Sequence, residues 1–277
     1  MRIATYNIQY WTGMDRVQDP ERTLAVVREI NPDVIALQEV VHPLTTDEKT
    51  SPLARLAAEL GAEYRFAEIW PAGTLKHIAQ PMGLALLSRY PILAHASHKL
   101  PSRPPDPPRR LLEARLLLPD DRYLTVYTTH LEWRWEDVRH EQVKALLLWT
   151  TRDRGKPHVL LGDFNSVHPA DIARVEAEGV KWEDFVRQVQ EEFPQAPLTP
   201  KTIPSLLKAG YVDAFQAVGT GDGRTYTTAA PTLRLDYCFL DASLQPVLRH
   251  AQRWTSEGAR VASDHYPVVV DLDLPTP

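Results

Sequence analysis

A set of polar side chains suited to metal binding or proton transfer lies at the ends of apolar runs. Short apolar runs of this kind are typical of buried strands. Open sheets with parallel strands bind ligands at their strand ends. These distant segments are therefore predicted to converge on one cleft. The polar residues are Asn7, Glu39, His130, Asp163 and Asn165, each at or just beyond the end of a run, and Asp264-His265, just before the last run.

The oxygen donors among these residues predict a hard divalent cation. Glu39 and Asp264 carry carboxylates, and Asn7 carries a neutral amide oxygen. One or two carboxylates together with several waters form the ligand set that suits Mg²⁺ or Mn²⁺. The sequence contains no Cys/His cluster of the kind that binds zinc. A cation of this type can polarise a phosphoryl oxygen and hold a phosphoester in place.

The remaining polar residues suit proton transfer and phosphate contacts. Asp163 can accept a proton from an attacking water that Asn165 orients. His130 and His265 can donate hydrogen bonds to phosphoryl oxygens as negative charge builds on them. Asp236, in the apolar run 235–240, can orient His265 and hold it cationic. The pattern favours metal-assisted hydrolysis of a phosphoester.

Each of these residues also has a purely structural explanation. Asn7 fits a turn after a strand, and Glu39 fits a charged helix or loop position. Residues 163–166 fit an Asx turn or a helix N-cap. His130 alone fits a hydrogen-bonded structural histidine, and Asp264-His265 fits a turn before an edge strand. The functional interpretation depends on the joint arrangement.

Helices are predicted between several of the strand candidates. Asp19-Pro20-Glu21 has the N-cap, proline and acidic residue that begin a helix. Ser51-Pro52 predicts a second helix, which Gly61 ends. A third is predicted from Glu136 to about Thr151. Strands that alternate with helices, followed by β-rich stretches, predict a mixed α/β fold.

Two segments interrupt this pattern. Residues 100–110 contain five prolines and predict a loop. Residues 166–209 contain helical patches, such as 182–193, that are broken by prolines. We interpret the chain as a single domain over residues 1–277, with an insertion at about 166–209.

The composition is that of an ordinary globular protein. The 277 residues are 43% hydrophobic and 24% charged, and no apolar run approaches the roughly 18 residues of a membrane span. We therefore expect no integral membrane segment. The N-terminus lacks a signal-peptide pattern, and Cys238 is the only cysteine, so a cytoplasmic location is expected. The net charge of −5 counts mildly against a dedicated duplex-DNA binder. The sequence does not define an oligomeric state.

Seven ordered motifs resemble the endonuclease/exonuclease/phosphatase superfamily, which includes DNase I-like nucleases, apurinic endonucleases, sphingomyelinases and inositol polyphosphate phosphatases. The most specific motifs are Gly162-Asp163-Phe164-Asn165 and Ser263-Asp264-His265. The resemblance implies an α/β (α+β) fold of the DNase I type, a four-layer sandwich of two packed mixed β-sheets flanked by helices. The motifs span residues 5–8, 37–40, 83–92, 128–131, 162–166, 234–237 and 263–268.

The resemblance also implies roles and a cofactor, Mg²⁺ or Mn²⁺. Glu39 is implied as the main metal ligand, with Asn7 and Asp264 close to the metal. Asp163 and Asn165 are implied to activate and orient the attacking water.

The same resemblance implies that His265, paired with Asp236, binds phosphate. His130 is implied as a second phosphate-contacting histidine, which favours the DNase, sphingomyelinase and phosphatase branches. In DNase-like relatives a carboxylate orients the residue equivalent to His130, and Glu68 is our candidate for it.

Three functions remain open at this point. The first is hydrolysis of a small or lipid-linked phosphoester. The second is an endo- or exonuclease acting on DNA or RNA, with an arginine strip along the cleft and with Trp133 and Trp135 stacking on bases, although at least one of these tryptophans is expected in the core. The third is an inactive binding scaffold. The arginines of the expected strip are Arg103, Arg109, Arg110, Arg134 and Arg139.

Overall fold

The structure is a computed structural model that describes residues 1–44, 47–75, 78–189 and 199–277. Its described residues form twelve strands and eight α-helices. The strands are β1 (Arg2–Asn7), β2 (Val34–Val41), β3 (Glu63–Trp70), β4 (Met82–Ser88), β5 (Ile92–Lys99), β6 (Arg110–Leu117), β7 (Tyr123–His130), β8 (His158–Asp163), β9 (Val212–Asp213), β10 (Asp236–Leu240), β11 (Leu248–Arg253) and β12 (Val268–Leu272). The helices are α1 (Pro20–Ile30), α2 (Pro52–Leu60), α3 (Glu136–Thr150), α4 (Pro169–Ala177), α5 (Trp182–Val189), α6 (Thr202–Lys208), α7 (Ala214–Val218) and α8 (Glu257–Ala262).

The strands form two six-stranded mixed sheets. The first sheet has the order β11-β12-β1-β2-β4-β3, and the second has the order β5-β6-β7-β8-β10-β9. One pair in each sheet is parallel, β1 with β2 and β7 with β8, and the remaining pairs are antiparallel. Helices flank the sheets, which confirms the fold class expected from the sequence.

Apolar side chains fill the space between the sheets and both outer faces. Ile3 and Leu84 of the first sheet share one core with Val126 and Leu161 of the second. Helices α1, α2 and α8 pack on the outer face of the first sheet, and α3 and α6 pack on that of the second. Because the central strands are buried on both faces, they form the nearly continuous apolar runs seen in the sequence.

The predicted helix boundaries are confirmed. The side chain of Asp19 accepts a hydrogen bond from the backbone N–H of Glu21 at the start of α1. Ser51 caps α2 in the same way, and Gly61 ends it with a φ of 63°. Helix α3 ends one residue before the predicted limit. The predicted helical patch 182–193 contains α5, and its last four residues lie outside the described part of the chain.

The apolar runs of the sequence, at residues 3–6, 34–38, 84–87, 124–129, 159–162, 235–240 and 267–274, correspond to seven of the twelve strands. The other five strands have no such run: β3, β5, β6, β9 and β11. Four of them are the edge strands of the two sheets. Strand β5, for example, leaves most of its side chains exposed or half-buried. An edge strand needs an apolar side chain only where it faces the core, so its sequence carries a weaker pattern. Among the described residues, no helix has both the length and the apolar character that crossing a bilayer requires.

Candidate functional site

The predicted polar residues gather where the two sheets meet at one edge. Asn7 is the last residue of β1, and His130 and Asp163 are the last residues of β7 and β8. The parallel pairing places His130 beside Asp163, and β10 places Asp236 on the other side of Asp163. The amide of Asn7 donates to Asp163 Oδ2 at 3.1 Å and so joins the two sheets. The expected convergence on one cleft is confirmed.

Glu39 reaches the cleft in a different way from that expected. It lies inside β2, which continues to Val41, and not at the end of a strand. The pairing of β2 with β4 shifts register between Leu37 and Val40, and Glu39 has a φ of 56°. A bulge of this kind re-aims a side chain. The irregularity therefore brings Glu39 to the cleft, which its side chain lines.

Asp163 and Asn165 form a tight turn directly after β8. Asp163 Oδ1 accepts the backbone N–H of Asn165 at 2.9 Å, and Asn165 has a φ of 48°. The side-chain amide of Asn165 donates to the carbonyl of Leu131 at 3.2 Å. The Asx turn considered as a structural alternative is thus present. The turn uses only Oδ1 of Asp163 and leaves Oδ2 directed at Asn7. Asp163 can therefore form the turn and still act in the site.

His265 is held between carboxylates. Its Nδ1 lies 2.7 Å from Asp236 Oδ2, and its Nε2 lies 3.8 Å from Asp163 Oδ2. Burial lowers the pKa of His265, but Asp236 and Asp163 raise it by more, so its pKa stands well above the usual value. His265 is therefore cationic at neutral pH. With Nδ1 directed at Asp236, the Nε2–H is left to donate to a ligand.

His130 has the opposite charge state. Burial, followed by the positive charges of Arg109 and His265, lowers its pKa well below the usual value, so the ring is neutral. Its Nε2 lies 3.6 Å from Asp163 and its Nδ1 lies 4.0 Å from Glu39. The suggestion that Glu68 orients His130 is wrong, because the side chain of Glu68 is exposed on the edge strand β3.

The donor set fits a divalent cation. Glu39 and Asp264 lie close enough that burial and then the charge of Asp264 raise the pKa of Glu39 to about 7. Neither carboxylate forms an ion pair with a lysine or arginine in the described part of the chain. Carboxylates that are largely removed from water and lie close together are ligands that suit a hard divalent cation.

A second group, Asp163, Asp236 and His265, places its ligand atoms within 4.8 Å of one another. In that group Asp236 Oδ2 accepts hydrogen bonds from His265 and Thr225, and its buried Oδ1 has no hydrogen-bond partner among the described residues. The cleft therefore offers two sets of candidate donors for a cation, Glu39 with Asp264 and Asp163 with Asp236 and His265.

Several cleft residues were not identified from the sequence. Gln9 donates its amide to Asp264 Oδ2 at 2.9 Å, and Tyr10 lines the cleft. Thr225 donates its hydroxyl to Asp236 Oδ2 at 2.6 Å, and the ring of Tyr226 lies 4.9 Å from that of His265. Gln9 lies only two residues after Asn7, and this closeness in the sequence is a weak indication that it belongs to the site. Residues 225 and 226 lie outside any apolar run, so nothing in the sequence indicated them.

The walls of the cleft differ from the sequence expectation. The cavity has a volume of about 350 Å³, and Trp70, Trp133, Arg109 and Arg134 are among the residues that line it. Trp133 and Trp135 are 39% and 38% exposed. The expectation that at least one of these two tryptophans packs in the core is therefore wrong.

The expected arginine strip is not formed. Arg139 is fully buried and pairs with Glu136 at 2.7 Å. Arg103 pairs with Asp137, and the guanidinium of Arg110 donates to the carbonyl of Glu68. Of the five arginines, only Arg109 and Arg134 are among the residues described as lining the cavity. A continuous phosphate-binding track is therefore absent from the described residues.

Gly162 permits the close contact between β8 and β7 that positions Asp163. Its φ is 141°, and a Cβ there would overlap the carbonyl oxygen of Thr129. We expect Gly162→Ala to lower the free energy of unfolding by about 1–3 kcal/mol through backbone strain alone, with the overlap adding to this loss. Urea titration measures it.

The matched control is Gly155→Ala, which also has a positive φ but has open space around the added methyl group. It should cost less than Gly162→Ala. Equal losses for the two variants would show that the contact with Thr129 is unimportant.

Comparisons with known proteins give one family. The model of the Endonuclease/Exonuclease/phosphatase family matches residues 4–265. No curated protein matches the chain. Because residues 4–265 are nearly the whole chain, this match establishes the family.

Solved structures of low sequence identity share the fold. An endonuclease/exonuclease/phosphatase from Beutenbergia cavernae is 23% identical, with a TM-score of 0.75 over 99% of this chain and 72% of that one. An AP endonuclease from Archaeoglobus fulgidus is 16% identical, with a TM-score of 0.68 over 99% of this chain and 100% of that one. A mannosyl-6-phosphatase from Bacteroides thetaiotaomicron is also 16% identical, with a TM-score of 0.65 over 98% and 99% of the two chains. These similarities show the fold alone, and the family match assigns the chain to the endonuclease/exonuclease/phosphatase family.

Proposed function

We propose that this chain is a Mg²⁺- or Mn²⁺-dependent hydrolase of a small or lipid-linked phosphoester. Its family consists mostly of metal-dependent phosphoester hydrolases. The observation that carries the proposal is the cationic His265, 3.8 Å from the carboxylate of Asp163, in the same cleft as the carboxylates of Glu39 and Asp264. This arrangement supplies a base, a phosphate-binding donor and a metal site together.

Asp163 acts as the base that activates the attacking water. Burial and then Asp236 raise the pKa of Asp163 to about 7, which suits a base that works near neutral pH. Asn7 and the backbone of Asn165 donate hydrogen bonds to the two oxygens of Asp163 and fix its plane. The attacking water approaches phosphorus in line with the leaving group, and Asn165 orients it.

The two histidines contact the phosphoryl oxygens. His265 donates from Nε2 and carries a positive charge, so its interaction strengthens as negative charge builds in the transition state. The neutral His130 adds one N–H donor. Glu39 and Asp264, with the amide oxygen of Asn7, would hold the cation. When bound, that cation polarises a phosphoryl oxygen and neutralises part of its charge.

The cleft favours a compact substrate over a long polyanion. Arg139, Arg103 and Arg110 are engaged by other parts of the protein. The overall charge of −5 also opposes a nucleic acid. Trp70, Trp133, Leu75 and Met82 supply apolar wall around the polar centre. Such a wall suits the ring or acyl part of a small or lipid-linked ester.

An assay of three substrates side by side tests this function. The purified protein is incubated in Mg²⁺ or Mn²⁺, against EDTA, with bis-p-nitrophenyl phosphate, a supercoiled plasmid and a phospholipid head-group diester. We expect metal-dependent hydrolysis of a small or lipid ester while the plasmid stays intact. Metal-dependent nicking of the plasmid would instead identify a nuclease. No metal-dependent hydrolysis across a wider panel of esters would leave an inactive scaffold.

Replacing Glu39 by glutamine tests the metal site without relying on turnover. We expect the affinity for Mn²⁺, measured by calorimetry, to fall by at least about tenfold, because a ligand charge is lost. Glu68→Gln is the matched control, since Glu68 is exposed on β3, and it should leave the affinity unchanged. Unchanged Mn²⁺ binding in Glu39→Gln would remove Glu39 from the ligand set.

A further inference from the structure

We propose that Arg109 binds a second phosphate group of the substrate, adjacent to the phosphoester that is cleaved. The inference rests on the proposed function, in that the cleft must bind a phosphoester. It goes further by naming the substrate class: a molecule with two phosphate groups. From the sequence, Arg109 was expected only as one member of the arginine strip of a nuclease, which is not formed, and the names of the relatives assign it no role.

The first observation is that Arg109 is buried and that its guanidinium has no partner among the described residues. Arg109 is 4% exposed, and its Nε has no hydrogen-bond partner in the described part of the chain. No described residue forms an ion pair or side-chain hydrogen bond with it. Arg134, the other arginine of the cavity, differs, because Asp106 lies 3.2 Å from it. Burying an unpaired charge is costly, so a ligand anion is the missing partner.

The second observation is the place of Arg109 in the row of site residues. In the second sheet the order β10, β8, β7, β6 places Asp236, Asp163, His130 and then the start of β6 side by side. Arg109 directly precedes β6. It therefore lies about two strand spacings, roughly 10 Å, from Asp163 along the sheet. His130 lies between the two and separates Arg109 from the base.

The third observation is that the backbone holds Arg109 in place. The carbonyl of Arg109 accepts the N–H of Leu100 at 2.8 Å, which closes the base of the proline-rich loop 101–108. Gln142 of helix α3 donates to the carbonyl of Pro101 at 2.8 Å and fixes the same loop. The ring of Trp70 lies 6.0 Å from the guanidinium carbon. A receptor fixed in this way loses little entropy when its ligand binds.

Phosphate is the anion that this geometry fits best. A guanidinium offers a planar fork of donors that matches two phosphate oxygens. The phosphoester that is cleaved already has His265, His130 and the cation. Arg109 is therefore available for a second phosphate group, which would lie beyond His130 along the cleft. That group is either a terminal phosphate of a small molecule or the neighbouring phosphodiester of a strand.

Binding is measured first, in the Asp163→Asn background with Mg²⁺, so that turnover does not interfere. The probes are thymidine 3′,5′-bisphosphate and thymidine 5′-monophosphate, and the readout is calorimetry. We expect the bisphosphate to bind more tightly, and Arg109→Gln to weaken it by about tenfold or more while changing the monophosphate by less than about twofold, as for loss of a charge-assisted contact. Arg115→Gln, an exposed change on β6, is the matched control.

The folded state provides a separate check. Because no residue in the described ranges pairs with the charge of Arg109, Arg109→Gln should not lower the melting temperature, and Arg109→Lys should retain part of the preference for the bisphosphate. Equal weakening of both probes would mean that Arg109 contacts the cleaved phosphoester, which overturns the proposal. No weakening of either probe, or no preference in the parent protein, overturns it as well.

Hydrolysis then distinguishes the source of the second phosphate. The dinucleotide dTpdT has one phosphate, pdTpdT adds a terminal phosphate, and dTpdTpdT adds a neighbouring diester. Faster cleavage of pdTpdT alone, lost in Arg109→Gln, indicates a terminal phosphate, and faster cleavage of dTpdTpdT indicates a strand. If none is cleaved while the calorimetric preference persists, the phosphate subsite stands and the proposed hydrolysis of such esters fails. If neither preference nor cleavage is found, the subsite is refuted.

Discussion

Replacing Asp163 by asparagine is expected to reduce the turnover number by about 10²–10⁴-fold, the usual contribution of a positioned base. The shape of the side chain is kept, so the hydrogen bond from the backbone of Asn165 can be retained. What is lost is the ability to accept the proton of the attacking water. Steady-state kinetics on the best substrate, at saturating metal, measures the loss.

Substrate binding should survive this change, so the Michaelis constant should move by less than the turnover number does. The control is Asp241→Asn, which changes an aspartate that caps the turn after β10, beyond the opposite end of that strand from Asp236. It should leave both constants unchanged. Turnover of Asp163→Asn within tenfold of the parent, in a protein with an unchanged melting curve, would exclude Asp163 as the base.

Replacing Asp236 by asparagine is expected to lower the turnover number by about 10²–10³-fold, similar to the loss of a donor that stabilises a developing charge. Asp236 Oδ2 accepts a hydrogen bond from His265 at 2.7 Å and another from Thr225 at 2.6 Å. Without the carboxylate, the imidazole loses both its orientation and the negative charge that keeps it cationic.

A double-mutant cycle tests whether Asp236 acts through His265. The loss in the double variant Asp236→Asn/His265→Ala should match that in His265→Ala alone, because the two residues work as one unit. Thr225→Val keeps the Asp236–His265 contact. It should therefore lower the turnover number by less than Asp236→Asn or His265→Ala does. Additive losses for the two site changes would show that Asp236 acts independently of His265.

The sequence predicted the central part of the fold because that part is buried on both sides. Strands β1, β2, β7, β8 and β10 form nearly continuous apolar runs. A polar residue of the site lies at or next to one end of each run. The helix starts at Asp19 and Ser51 were equally readable, because N-caps and prolines act within one turn of chain. The edge strands were missed, since their pattern depends on which neighbour covers them.

Some residues of the site were predicted from the sequence and others were not, for the same reason. Asn7, His130 and Asp163 were predicted because strand ends are local features of the sequence. The position of Glu39 inside β2 was not, because a bulge depends on the register with β4. The role of Thr225 and Gln9 was invisible, because each acts through a residue that is close only in the folded chain.

The sequence by itself determined the family and the identity of the polar centres, because the motifs are short and each is carried by neighbouring residues. The sequence suggested that Asp236 holds His265 cationic, but only the tertiary structure decided the charge state of His130. Both histidines are buried, which lowers the pKa of each. The carboxylates of Asp236 and Asp163 raise the pKa of His265 by more, whereas the positive charge of Arg109 lowers that of His130 further. The structure also decided which arginines face the cleft. Ion pairs with distant segments remove Arg139 and Arg103 from it, and the absence of any such partner in the described residues leaves Arg109 for a ligand.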